Sequence, residues 1–206
     1  MITRADAETF ARCIAVGGVA VFPADTVYGL ACEPDTREAV ERLYALKGRR
    51  PDKPAALMFF DRELAFDALP ELGPRTQALL ERLLPGGITA LLPNPLRRYP
   101  LACGPDPHTL GLRVPALAPE IVALSSMRWP VMQSSANRAG GIDAHRLDEV
   151  PDEIRRGADL VLDGGELVGT PSTVVDLRRF ELDGMWAVLR QGAVPERDIE
   201  LAAAEA

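Results

Sequence analysis

Asp35-Thr36-Arg37-Glu38-Ala39-Val40-Glu41-Arg42-Leu43-Tyr44-Ala45-Leu46-Lys47-Gly48 lies between two short apolar runs, Ala20-Val21-Phe22 and Ala55-Ala56-Leu57-Met58-Phe59-Phe60. Val40, Leu43 and Tyr44 fall on one stripe at helical spacing, so the pattern predicts a helix from Asp35 to Lys47. Asp35 and Glu38 stand at the spacing of a capping box. The flanking runs are short enough for buried strands. A strand, a helix and a strand in succession predict an α/β fold.

The same alternation continues outward. Residues 1–6 read as a strand leading into a helix. Residues 74–84 read as a helix with Pro74 in its first turn and Pro85-Gly86-Gly87 as its stop. Residues 119–124 and 147–156 read as helices. Residues 88–92, 110–114, 130–133, 160–162, 173–177 and 185–189 read as strands. The strands clustered near the C-terminus predict a mixed sheet, mostly covered by helices. The expected organisation is one domain over residues 1–206, with no additional C-terminal domain and an Ala-rich tail (201–206) that frays. Gly17-Gly18 and Gly164-Gly165 read as turns.

Bulk composition narrows the function. The chain has 206 residues, 47% hydrophobic and 26% charged, as soluble globular domains do. No apolar run is long enough to span a membrane, and the start lacks a secretory pattern, so a cytoplasmic location is expected. Three dispersed cysteines and two histidines suggest neither a disulfide framework nor a transition-metal site. A formal net charge of −7 argues against broad non-specific binding to nucleic acid.

Against that acidic background, Lys47, Arg49, Arg50 and Lys53 stand together. Lys47 occupies the next core position of the helical stripe. Either its stem snorkels outward, or its cation is aimed into the protein. A cation there also complements the helix dipole, with no further role needed. Small polar and cationic residues recur near strand ends: Thr26, Arg113, Ser135, Asn137, Ser172 and Arg190. Ligands of open α/β sheets sit outside strand ends, so these residues are candidates for one pocket. Ser134-Ser135-Ala136-Asn137 also fits an ordinary turn or cap. No Walker loop and no Ser–His–Asp pattern is present.

Several segments, in order, resemble the YrdC-like family of threonylcarbamoyl-adenylate synthases. They are residues 17–32 (through Pro23-Ala24-Asp25-Thr26-Val27-Tyr28-Gly29-Leu30), Lys47-Gly48-Arg49 with Asp52-Lys53-Pro54, and Pro85-Gly86-Gly87-Ile88-Thr89. Leu112-Arg113-Val114-Pro115, Ser134-Ser135-Ala136-Asn137, Ser172-Thr173-Val174-Val175-Asp176 and Leu189-Arg190-Gln191-Gly192 complete the set. The resemblance implies a twisted open α/β sheet with a concave basic face. It implies condensation of L-threonine, bicarbonate and ATP to threonylcarbamoyl-AMP and pyrophosphate, for threonylcarbamoyladenosine modification of tRNA. Lys47 and Arg49 match the family's catalytic cations. Ser135 and Asn137 match its serine–x–asparagine pair on the nucleotide phosphates, and Ser172 and Arg190 are carried over as nucleotide-binding. Thr26 and Arg113 are carried over to the threonine side.

The implied cofactor is Mg²⁺ arriving with ATP, and no metal-ligating residue is expected. The implied partners are the downstream tRNA threonylcarbamoyl-transfer machinery and a tRNA or double-stranded RNA contact. Two alternatives stay open: a non-catalytic RNA-binding module of this fold, and a related carbamoyl or nucleotidyl transfer to another amine. The chain departs from the family pattern at Ala24 (usually threonine), Arg50 and Gly87 (usually proline), and Arg138-Ala139-Gly140. Ala24 removes a hydroxyl expected near the threonine.

Overall fold

A computed structural model describes residues 1–50 and 53–206. The elements run α1 (Arg4–Ala15), β1 (Ala20–Pro23), β2 (Tyr28–Cys32), α2 (Arg37–Lys47), β3 (Ala56–Met58), α3 (Arg62–Ala68), α4 (Pro74–Leu83) and β4 (Ile88–Pro93). They continue with α5 (Pro100–Cys103), β5 (Thr109–Arg113), β6 (Val131–Ser135), α6 (Asp152–Gly157), β7 (Leu160–Val161), β8 (Thr173–Arg179), α7 (Phe180–Asp183), β9 (Met185–Arg190) and α8 (Glu196–Ala204). Among the described residues the strands form one sheet in the order β7-β1-β2-β6-β3-β5-β4-β8-β9. Parallel pairs (β1/β7, β3/β5, β4/β8) and antiparallel pairs are interleaved, so the sheet is mixed, as expected.

The two faces of the sheet have different fates, and the period-2 alternation of strand side chains sets them. Leu57, Ile88, Ala90, Leu110, Leu112, Met132 and Val175 point to one face and join the main core under α2 and α4. Ala20, Phe22, Met58 and Val131 point to the other face and pack with Phe10 and Ile14 of α1. Phe10, Phe22 and Phe60 meet there with ring centroids 5.2 to 6.2 Å apart. That second cluster covers only part of its face. The remainder carries Thr89, Leu91, Gly111, Arg113, Gln133 and Ser135. Sequence pattern predicted a mostly covered sheet. One half-face is left open, beyond the part that α1 and its cluster cover.

Local chemistry explains where several elements begin. Residues 1–3 form no strand. Thr3 instead caps α1, accepting the Asp6 amide while the Asp6 carboxylate accepts the Thr3 amide. The capping box expected at Asp35 and Glu38 does not form. Thr36 is the N-cap residue of α2 without a side-chain bond, and Glu33 takes the Asp35 amide. The helix read over 147–156 is divided into a 3₁₀ turn (Leu147–Glu149) and α6, because Pro151 cannot continue a helix. The helix read over 119–124 is a 3₁₀ turn at Val122–Ser126. The tail does not fray: it continues α8 to Ala204, and Ala202, Ala203 and Ala206 pack against the main core. Pro51 and Asp52, part of the cation-rich segment, lie outside the described residues.

Candidate active site

Lys47 closes α2. Gly48 follows with φ +60° and turns the chain away, which a residue lacking Cβ does without strain. The Lys47 side chain is only 4% exposed, so it does not snorkel. Its ammonium reaches the end of β6 and donates to Ser135 O (2.6 Å), Ser135 Oγ (3.1 Å), Asn137 O (3.1 Å) and Asn137 Oδ1. An ammonium has three hydrogens, so these acceptors saturate it. Ser135 Oγ donates to Asn137 Oδ1 (2.8 Å), and Asn137 Nδ2 donates to Gly141 O (2.6 Å) and Asp143 Oδ1 (3.1 Å). Lys47 and the serine–x–asparagine turn are therefore one bonded unit.

Arg113 ends β5, and its side chain is almost wholly buried. It donates to Asp25 Oδ1 (2.6 Å), Thr26 Oγ1 (3.3 Å) and Gln133 Oε1 (3.3 Å). Nearer the sheet edge, Ser172 Oγ and Thr89 Oγ1 share a hydrogen bond of 2.8 Å, and Arg190 donates to Ser172 O (2.8 Å). Arg49 donates to Ser134 Oγ (2.8 Å) and to Pro54 O.

These groups meet at one cavity of about 420 Å³. Of the residues expected from sequence, Arg49, Arg113, Ser135, Ser172 and Arg190 line it. Lys47, Asn137 and Thr26 stand one bond behind the wall, through Ser135, Ser135 and Arg113 respectively. The cavity floor is the open half-face of the sheet, where Ala56 and Gly111 are small enough to leave a hollow. The site was expected outside strand ends, and Arg113, Ser135 and Arg190 do close their strands, while Thr89 and Gln133 add to the wall from within β4 and β6.

Thr89, Gln133 and Asp143 were not singled out as site residues from sequence. Thr89 stood within the Pro85–Thr89 segment, and Gln133 was a polar interruption after Val131-Met132. Asp143 carried no signal of its own, whereas Asp25 stood beside Thr26 just after the strand that ends at Pro23. Ala24, where a hydroxyl is usual, is fully buried in the α1-side apolar cluster with Phe22.

A family model described as telomere recombination, for Sua5, YciO and YrdC proteins, matches residues 12–192. The chain belongs to the Sua5/YciO/YrdC family. It is 36% identical over 172 residues to the threonylcarbamoyl-AMP synthase of Pseudomonas fluorescens (strain Pf0-1), covering 81% of this chain and 90% of that one. It is 29% identical over 187 residues to the threonylcarbamoyl-AMP synthase of Pyrococcus abyssi, covering 89% of this chain and 53% of that one. The crystal structure of P. abyssi Sua5 complexed with L-threonine superposes with a TM-score of 0.83 at 28% identity, over 98% of this chain and 58% of that one. The chain thus spans about half the length of the P. abyssi relative.

Within this Sua5/YciO/YrdC fold, charge is concentrated in the cavity. Three arginines (49, 113, 190) face it, opposed by Asp106 and Asp143. The Nε atoms of Arg49 and Arg113 are buried and, among the described residues, find no hydrogen-bond partner. A guanidinium that lines a cavity is suited to a carboxylate or phosphate oxygen. Burial, and then the neighbouring Arg49 charge, pull the Lys47 ammonium down to about 8, while Asp143 acts in the opposite sense. Burial also lowers Arg113, against the pull of Asp25, and raises the Asp25 carboxyl despite Arg113.

Proposed function

We propose that the chain condenses L-threonine, bicarbonate and ATP to threonylcarbamoyl-AMP and pyrophosphate, supplying the tRNA threonylcarbamoyl-transfer machinery. The observation that carries this reading is the convergence of Arg49, Arg113 and Arg190 on one cavity. Two anions must be brought together for this reaction. Threonine and bicarbonate give a carbamate, with loss of water, whose oxygen attacks the α-phosphorus of ATP. The bond to the β-phosphate bridging oxygen then breaks, and pyrophosphate leaves. Such a transfer depends on positioning and charge stabilisation rather than on a protein nucleophile.

The geometry suggests a division of labour. Arg113, with Thr26 and Asp25, forms the carboxylate side for threonine. Arg49, Ser135, Ser172 and Arg190 form the phosphate side. Lys47 and Asn137 act from behind Ser135, fixing its hydroxyl and adding positive charge. Mg²⁺ enters as part of the nucleotide substrate. Among the described residues, no cluster of three or more His, Cys, Asp or Glu is arranged to hold a metal ion of its own. The P. abyssi Sua5 complexed with L-threonine supports the choice of amino acid. Among the described residues no helix is long and apolar enough to cross a membrane.

The test is pyrophosphate release from ATP, measured with each co-substrate omitted in turn. Release is expected only when both L-threonine and bicarbonate are present. Turnover that persists without threonine, or that another amino acid supports equally, overturns the assignment.

A further inference from the structure

Tyr28 is a fully buried, titratable side chain that the reaction above does not use. Its position is unusual in how many site-building segments it joins. Its carbonyl accepts the Ala136 amide (2.8 Å), inside the serine–x–asparagine turn, and its amide donates to Ala144 O (2.8 Å). Its hydroxyl lies within donor reach of Gly165 O (2.8 Å) and Asp163 Oδ1 (3.0 Å), and it accepts the Gly164 amide (3.0 Å). The Asp163 carboxylate accepts the Gly165 amide as well (2.9 Å), so this short stretch is gripped from two sides.

That stretch begins a connection without helix or strand, residues 162–172, which joins β7 to β8. The two strands are far apart in the sheet order. Gly165 (φ +82°) and Gly169 (φ +83°) turn the path. Along its way Leu167 N donates to His145 O, and Gly169 N to Thr26 O, each at 2.8 Å. It ends at Pro171 and Ser172, on the cavity wall beside Arg190. The connection is a strap pinned at successive points between its two ends, so the placement of one end bears on the other.

We propose that Tyr28 is a positioning residue of the site: its hydroxyl anchors the 162–172 strap so that Pro171 and Ser172 are held against the nucleotide side of the cavity. Burial pushes the hydroxyl up to about 12, so it remains a donor throughout the neutral range. The proposal rests on the functional reading for its kinetic consequence and on the geometry alone for its structural one.

Tyr28→Phe removes one oxygen and keeps the ring. Hydrogen exchange is expected to quicken at least tenfold at Gly164, Leu167 and Gly169, with core amides such as Leu112 unchanged. The apparent KM for ATP is expected to rise about fivefold, with kcat within twofold. Asp163→Asn, which keeps an acceptor for the hydroxyl, is expected to resemble the wild type, whereas Asp163→Ala moves towards Tyr28→Phe. Asp163→Ala also carries the test if Tyr28→Phe does not fold. Unchanged exchange in the strap overturns the proposal, and so does loosened exchange with an unchanged KM. A wild-type chain that shows no threonine-dependent turnover overturns the functional reading instead, and the exchange measurement still decides whether Tyr28 holds the strap.

Discussion

Arg113 Nη2 lies 2.6 Å from Asp25 Oδ1, and the two side chains are 5% and 4% exposed. The second Asp25 oxygen accepts the Ala116 amide at 3.2 Å. The cation that faces the cavity is thus balanced from behind by a carboxylate on the β1–β2 turn. Removing one partner of a buried pair leaves an uncompensated charge, which costs about 3–5 kcal/mol. Asp25→Ala is therefore expected to lower Tm markedly. Denaturant unfolding measures the loss, and a change below about 1 kcal/mol contradicts this account of the pair.

Lys47 has a folded-state value of about 8, below its ordinary 10.5. The fold therefore disfavours the ammonium. That opposition is fully present below pH 8 and is relieved as pH rises towards 10.5, so the Lys47 contribution to stability improves across this window. Ligand binding goes the other way. ATP affinity is expected to weaken above about pH 8 as the cation is lost, and calorimetric titration between pH 7 and 9.5 reads this limb. In Lys47→Met, binding is expected to be weaker and the limb absent.

The ammonium of Lys47 and the amide of Asn137 belong to one hydrogen-bonded unit. Lys47→Met and Asn137→Ala are each expected to reduce kcat/KM by about 10²-fold or more, the scale of removing one group that stabilises transition-state charge. The double variant is expected to be little worse than either single one, because both changes disable the same unit. Fully multiplicative losses contradict the coupling. Circular dichroism checks that each variant is folded.

Gly192 stands two residues after Arg190, and a Cβ placed on it would lie 2.2 Å from Pro171 O and 2.5 Å from the Ser172 carbonyl carbon. The obstacle is backbone and cannot swing aside. Gly192→Ala is expected to displace the end of the strap, raising the KM for ATP several-fold and destabilising the protein by about 1–3 kcal/mol. Thermal melting and initial-rate kinetics measure the two effects, and wild-type values in both contradict the close approach.

Much of this protein was legible without coordinates. Alternating apolar runs and helical stripes marked the α/β class because hydrophobic periodicity is local. Lys47 was visible as a cation on a core stripe, and the ordered segments from Pro23 to Gly192 carried the family. Local signals misled where two readings compete over a few residues. Thr3 and Asp6 made a cap where a strand was read, and Thr36 took the place expected of Asp35. At Pro151 a helix broke that periodicity alone would have continued.

The sequence by itself determined which residues alternate along each strand and where the cations cluster. Only the tertiary structure decided which sheet face α1 leaves open, because coverage depends on how distant segments pack. It also decided that Lys47 turns to Ser135, 88 positions away, and that Asp25 balances Arg113. Spacing reveals shared faces within an element. The partner of a buried charge is chosen across the fold, where burial makes an unpaired charge costly and distance along the chain counts for nothing.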